Sequence, residues 1–387
     1  MDHEKLINKK VLAMPTSKIR RYFDLAAQMD DVISLGVGEP DFLTPWHIRQ
    51  AAIEAISNGM TRYTDNLGLK DLRKAICEYL KRFDVSYDFN SEVIVTVGAS
   101  EAIDIALRTL ISDGDEILIP EPCYVCYMPI TQLVNGKVVP IKTFKEDNFK
   151  LTPELLTAAI TDKTKVLIMS YPNNPTGAIM TEDDLRAIAP ILIKHNIIVI
   201  SDEIYAELNY TNTKHFSIAA IAGMKERTLL INGFSKTFSM TGWRLGYVCG
   251  PKAFISQMIK IHQYTIMCAP TISQYAGIAA LANADEDIIK VREDFDSRRR
   301  FITEGFNRLN LNCYEPQGAF YVFPDIRSTN MTSDEFCERL LYDQHVAVVP
   351  GNAFGESGEG FIRVSYCYSI KHIKEALERI EKFLATL

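Results

Sequence analysis

From about residue 93 the chain alternates short apolar, β-branched runs with longer stretches of helical periodicity. The runs span 93–97, 116–120, 137–141, 166–169, 197–201, 228–231 and 246–249. Those at 93, 166 and 197 are apolar on both faces. A strand of that kind is covered on both sides, as in a parallel sheet buried between helices. The intervening stretches, such as 101–111 and 181–195, read as helices. The alternation predicts an α/β fold, with a mostly parallel seven-stranded sheet between helices.

After about residue 283 the pattern changes. A charged helical stretch at 288–309 is followed by strand-like runs at 319–323, 346–349 and 361–365. Near the end Ser369 can cap a helix in which Ile370, Ile373, Leu377, Ile380 and Leu384 recur at helical spacing. The turn-rich segment before residue 46 joins this part. The expected organisation is a large domain at 47–282 and a smaller α+β domain built from 1–46 and 283–387. A chain of 387 residues is long enough for both.

Composition narrows the function classes. Forty-two basic against 49 acidic residues leave a net charge of −7. There is no basic stripe, which argues against a nucleic-acid partner. No apolar run reaches the ~18 residues of a membrane span, and the first residues lack a signal-type core, so a cytoplasmic protein is expected. The eight cysteines are scattered. Cys123 and Cys126 form a lone Cys-x-x-Cys with no second pair and no neighbouring histidines, so no metal is expected.

In a mostly parallel sheet, ligands collect at the carboxyl ends of the strands. Polar and aromatic residues follow the apolar runs at that position: Gly98-Ala99-Ser100, Tyr124, Asn174, Asp202 and Lys236. Lys236 sits among small and hydroxylated residues, with Arg244 eight positions later. A buried lysine loses proton affinity and becomes a nucleophile for carbonyls. Schiff-base formation with an aldehyde cofactor is the chemistry that most needs it. Gly98, Ala99 and Ser100 end a run and open a helix, an arrangement suited to phosphate, and Arg244 can add a bidentate contact. Asp202 ends the most hydrophobic run and needs a cationic partner, which a protonated pyridine nitrogen would supply. Asn174 and Tyr205 can bond a ring oxygen, and Tyr124 can stack on a ring. Arg363, between apolar neighbours, can hold a carboxylate in a fork. Each residue alone also has an ordinary explanation. Asp202 could cap a helix, the Pro-Asn-Asn-Pro-Thr-Gly run is a turn sequence, Tyr124 could be core, and Arg244 and Arg363 could be structural.

Taken together, these residues resemble the pyridoxal-phosphate aminotransferases of the aspartate aminotransferase superfamily. The similarity runs from Gly38, in Leu-Gly-Val-Gly-Glu-Pro-Asp-Phe, to Arg363. Its most specific parts are Asn-Pro-Thr-Gly (174–177), Ser-Asp-Glu-Ile-Tyr (201–205) and Ser-Lys-Thr-Phe-Ser-Met-Thr-Gly-Trp-Arg (235–244). The sequence looks closest to the prokaryotic branch of aspartate and aromatic aminotransferases.

The resemblance implies pyridoxal 5'-phosphate as cofactor and a ping-pong exchange between an L-amino acid, aromatic or aspartate-like, and a 2-oxo acid such as 2-oxoglutarate. It implies that Lys236 forms the Schiff base and carries the proton, and that Asp202 pairs with the pyridine nitrogen. Asn174 and Tyr205 would bind the ring oxygen, and Tyr124 would stack on the ring. Ala99, Ser100 and Arg244 would hold the phosphate, joined by Tyr63 from the second subunit of a homodimer. Arg363, Asn174 and the backbone of Gly38 would bind substrate. The Asn174–Pro175 bond would be cis.

Two departures stand out. Gly233 occupies a position where many relatives have a phosphate-binding serine. No arginine is evident for a distal substrate carboxylate, although Arg20, Arg21 and Arg62 are candidates. Two alternatives share the cofactor: a β-lyase that cleaves carbon–sulfur bonds, and a non-catalytic cofactor-binding regulator.

Overall fold

The computed structural model describes Met1 to Leu387 except Asp2, Pro15 and Ser17 and except the side chain of Phe23. Its strands are β1 (Ile33–Ser34), β2 (Val93–Thr96), β3 (Glu116–Glu121), β4 (Lys137–Lys142), β5 (Thr164–Ser170), β6 (Ile198–Asp202), β7 (Thr228–Gly233), β8 (Gly246–Cys249), β9 (Tyr321–Val322), β10 (Val346–Ala347), β11 (Val349–Pro350) and β12 (Ile362–Ser365). Seven of them form one sheet in the order β2-β8-β7-β6-β5-β3-β4. Strands β3 to β7 are parallel, and β8 is antiparallel to both its neighbours, β7 and β2. Each run expected to be a central strand is one, with ends moved by two residues at most.

The lack of alternation in these runs has a direct cause. Val166, Ile168 and Ile200 point to one face and pack with the helix Gly98–Leu110. Leu167, Met169 and Val199 point to the other and pack with the helix Glu182–Lys194. Both faces are dry, so both sets of positions are apolar. The helix Glu182–Lys194 starts where Thr181 and Asp184 form a reciprocal capping box, which satisfies two amide groups at its first turn.

The remaining strands form two small sheets. Strands β11, β12 and β9 are antiparallel, in that order, and β1 pairs in parallel with β10. The single strand expected at 346–349 is therefore two. Val346, Ala347, Val348 and Val349 are all buried, but the chain changes pairing partner between Ala347 and Val349. An apolar run reports burial, not the partner. The strand expected at 319–323 is shorter because Ala319 takes a left-handed conformation, φ +58°.

The C-terminal helix Ile370–Leu384 is present, and the Ser369 hydroxyl accepts the His372 amide at its start. Its buried stripe is Ile373, Ala376, Ile380 and Phe383, rotated from the expected one, and Ile370 is exposed. Tyr22, Ile33 and Leu35 share a core with Phe295, Phe306 and Phe336, so the start of the chain packs on its last third. No helix among the described residues is long and apolar enough to cross a membrane.

A short return joins the small sheets to the large one. The amides of Gln317 and Gly318 both donate to the Gly177 carbonyl at 2.9 Å, and the Ala319 amide donates to the Leu208 carbonyl at 2.9 Å. Gly177 has φ +71°, and a Cβ there would run into Pro316 and the Gly318 carbonyl. Gly114 also has a positive φ, +89°, but a Cβ there meets nothing within 4 Å. Gly114→Ala should therefore cost about 1–2 kcal/mol, the strain of a left-handed residue alone. Gly177→Ala should cost about 2 kcal/mol more, as measured by chemical denaturation. Equal losses for the two variants would show that the crossing at Gly177 is not tightly packed.

Candidate active site

One cavity of about 330 Å³ opens at the carboxyl ends of the parallel strands. Its walls include Ala99 and Ser100 after β2, Tyr124 after β3, Asn174 after β5, Asp202 at the end of β6, Tyr205 and Lys236. Arg244 precedes β8 in the wall, and Gly38 and Arg363 enter from the side of the small sheets. Ten of the sequence-derived candidates thus face one space. Tyr63 does not; it lies on the surface, 80 % exposed.

The end of the cavity by β2 is shaped for an anion. The helix Gly98–Leu110 directs its first amides there. Strand β8 lies so close that a Cβ on Gly246 would strike the backbone of Gly98 and Ala99. A Cβ on Gly98 would strike the Arg244 guanidinium. Arg244 is itself left-handed, φ +51°, and donates to the Thr241 carbonyl at 3.1 Å. Free amides, a helix dipole and a guanidinium together suit a phosphate.

The middle of the cavity holds the buried acid. Asp202 is 4 % exposed. It accepts the Tyr127 hydroxyl at 2.7 Å and the Ile204 amide at 3.2 Å. Burial dominates and pushes its carboxyl up to about 6. Two donors do not replace the water it has lost, so the site is incomplete without a cation beside it. Tyr127 is a functional contact that sequence reasoning missed. The available signal was Tyr-x-x-Tyr at 124–127, which puts two aromatics one turn apart at the start of the helix Tyr127–Leu133.

Lys236 lies across the cavity. Its amine donates to the Gly38 carbonyl at 2.7 Å, and burial lowers its proton affinity below that of an ordinary lysine. Ser235, also missed, lines the cavity beside it. Gly233 fits tightly: a Cβ would sit 3.0 Å from the Leu245 carbonyl and 3.1 Å from the Gly246 Cα, so a larger residue requires its neighbours to give way slightly.

The opposite end is built around Arg363. Its guanidinium lies between the rings of Tyr321 and Phe354, 4.6 and 4.7 Å from their centroids. One terminal nitrogen donates to Asn174 Oδ1 at 3.1 Å and the other to the Gly36 carbonyl. Its Nε is buried with no partner among the described residues. An unsatisfied, buried guanidinium donor suits a carboxylate ligand. Asn174 spends its carbonyl on Arg363 and keeps its amide hydrogens for the cavity. Asn173 instead pins the turn through the Thr176 amide and hydroxyl. The Asn174–Pro175 bond is cis.

None of the candidate distal arginines lines this cavity. Arg20 bonds Asp24, and Arg21 pairs with Glu338. Arg62 borders a separate surface depression with Tyr63 and Cys268. Ile19 and Val125 line the cavity instead. Among the described residues its charged side chains are Lys236, Arg244, Arg363 and Asp202, three cations against one carboxylate. Such a site attracts ligands with a net negative charge. The phosphate-shaped end, the uncompensated Asp202 and the buried amine together fit pyridoxal 5'-phosphate.

Comparison with known proteins gives a consistent result. The family model for aminotransferases of class I and II matches residues 30–380. An aspartate aminotransferase of Pyrococcus abyssi is 46 % identical over 371 residues, 95 % of each chain. Aromatic-amino-acid aminotransferase 2 of Thermococcus litoralis is 41 % identical over 371 residues, again 95 % of each. The crystal structure of an aromatic aminotransferase from Pyrococcus horikoshii superposes with a TM-score of 0.91 at 44 % identity, covering 95 % of this chain and 99 % of that one.

The Asp202 geometry carries a stability prediction. In the cofactor-free fold its proton is held more tightly than in the unfolded chain, so burying the charge costs nothing at low pH. The cost grows as pH rises from the ordinary carboxylate range through about 6. Cofactor-free Asp202→Asn should therefore be more stable than the parent protein at neutral pH, by on the order of 3 kcal/mol. The gap should close toward pH 4, as denaturant melts at each pH would show. A variant less stable than the parent at neutral pH would mean that Asp202 is already compensated.

Proposed function

The chain belongs to the aminotransferases of class I and II, and we propose that it moves the amino group of an L-amino acid, aromatic in preference to aspartate-like, to a 2-oxo acid such as 2-oxoglutarate. The observation that supports this most directly is the cavity: an amine, a buried carboxylate and a half-satisfied guanidinium face one another beside a phosphate-shaped turn. When bound, pyridoxal 5'-phosphate supplies an aldehyde that links to amines and a protonated ring that draws electrons from the substrate α-carbon.

The protein's own groups do the rest. Lys236 Nζ holds the cofactor and then moves the proton to and from the substrate α-carbon, a task helped by its lowered proton affinity. Asp202 keeps the ring nitrogen protonated, and the ring's positive charge supplies the partner that the buried carboxylate lacks. Tyr205 and the Asn174 amide donate to the ring oxygen, and Tyr124 covers the ring face. Ala99, Ser100 and Arg244 bind the phosphate, and Ser235 offers a hydroxyl where Gly233 has none. Arg363 takes the substrate carboxylate with its free Nε, aided by Asn174 and the Gly38 backbone.

Substrate preference follows from what surrounds the remaining space. Ile19, Val125 and the aromatic rings of Tyr124 and Tyr321 are there, and no third guanidinium is among the described residues. Apolar walls favour an aromatic side chain. The named activities of the relatives include both aspartate and aromatic amino acids, in keeping with one scaffold that serves either.

The same reading makes the protein a homodimer. Met60, Tyr63, Tyr264, Ile266 and Met267 are exposed on two segments tied together by Asn66 to the Met267 carbonyl and Thr271 to the Arg62 carbonyl. Tyr264 is 86 % exposed. A patch this apolar suits a protein interface, and Tyr63 would then reach the phosphate in the neighbouring subunit's site. We place the division between the two domains at 46/47 and 282/283, where the helix Trp46–Ser57 begins and the helix Thr271–Ala282 ends. The eight cysteines are all free, which suits a reducing cytoplasm.

Half-reactions test the proposal. Loaded protein mixed with phenylalanine alone should release one equivalent of oxo acid per site and stop, and 2-oxoglutarate should restart it. Phenylalanine should exceed aspartate in kcat/KM by about tenfold or more, the ~1.4 kcal/mol expected from a matched apolar wall. Continuous release of pyruvate and ammonia from cysteine without any oxo acid would make the protein an eliminating enzyme instead.

A further inference from the structure

The ring of Tyr321 flanks Arg363 and forms part of the apolar wall, but its hydroxyl has no role above, and the side chain touches three of the groups that do. It lies on β9, is almost wholly buried and lines the cavity. Its hydroxyl is 3.0 Å from the Tyr205 hydroxyl. Its ring lies against the Arg363 guanidinium, 4.6 Å from the centroid. Any Cβ at Gly38, whose carbonyl accepts the Lys236 amine, would collide with the Tyr321 hydroxyl. The neighbouring residue, Phe320, packs edge-on against Tyr205 and lies 5.7 Å from the Lys236 amine. The pairing of β9 with β12, which carries Arg363, holds the ring in place.

Packing alone does not require the hydroxyl. A phenylalanine would fill nearly the same volume and would still lie against Arg363. The hydroxyl adds only the bond to Tyr205, and in that bond either oxygen can donate. An anion at the end of the chain removes the ambiguity. If Tyr205 gives its proton to the ring oxygen, its own oxygen must accept, and Tyr321 must donate. Hydrogen bonds in series polarise one another, so the second donor strengthens the first.

We propose that Tyr321 is a positioning residue: it donates to Tyr205, strengthens the bond from Tyr205 to the cofactor's ring oxygen, and so sets the pH at which the lysine-bound cofactor releases its proton. The inference rests on the reading of Tyr205 given above. Its sign is determined. The nitrogen linked to Lys236 shares its proton with the ring oxygen. Donors aimed at that oxygen stabilise it once the proton has left, so they lower the pH at which it leaves. Removing a donor raises that pH.

The test is a spectroscopic titration, not a rate. Parent, Tyr205→Phe, Tyr321→Phe and the double variant are loaded with pyridoxal 5'-phosphate, and the visible absorption is followed between about pH 5 and 9. Tyr321→Phe should raise the midpoint by about half a unit to one unit, and Tyr205→Phe by more. The double variant should match Tyr205→Phe, because Tyr321 acts only through Tyr205. A raised midpoint in Tyr205→Phe with none in Tyr321→Phe would overturn the proposal and leave the role of Tyr205 intact. No change in either would remove the role of Tyr205 and the proposal with it. Additive shifts in the double variant would show that Tyr321 acts by another route and would also overturn it.

Discussion

A carboxylate buried at the end of a strand that is itself buried is the constraint on which the rest of this structure depends. Asp202 cannot retreat to solvent, because β6 lies between β5 and β7 with helices on both faces. Two neutral donors soften its desolvation without cancelling it. The strain of an uncompensated charge is what a protonated ring relieves, so the feature that weakens the empty fold is the one that would tighten its grip on a cofactor. Lys236 shows the same logic with the opposite sign. Burial that makes its amine a poorer base also leaves it free to react.

The two ends of the cavity achieve their fit by different means. At the phosphate-shaped end, the absence of side chains matters. Gly98 and Gly246 let two backbones and a guanidinium converge where any Cβ would intrude. At the other end, side chains matter. Arg363 is held by two rings and by Asn174, and one donor is left over. Asn174 connects this end to the centre: its Oδ1 accepts from Arg363, and the residue lines the cavity.

Much of this was legible in the sequence, for identifiable reasons. A strand buried on both faces writes an unbroken apolar run, and the residue where the run stops is the residue at the rim. Asp202 stands at that point, and Tyr124 and Asn174 follow shortly after the ends of β3 and β5. The sheet's composition followed from the same signal. Less was legible where short elements depend on distant partners. The run 346–349 splits between two sheets because its first half pairs with β1, far upstream, and its second half leads into β11, which pairs with β12 downstream. The buried stripe of the last helix is shifted because Ala376 and Phe383 are fully buried, while Leu377 and Leu384 pack on the core from its edge. Tyr127 and Tyr321 left only faint traces, since an aromatic that bonds another functional residue has the same local pattern as one that merely packs.

The central claim is that the amine at position 236 is where the cofactor is held. The most direct measurement is reduction of the loaded protein with borohydride, followed by digestion and mass mapping of the pyridoxyl group. The account predicts one pyridoxyl group per chain, on Lys236. A pyridoxyl group on a different lysine, or none in fully loaded protein, would contradict it.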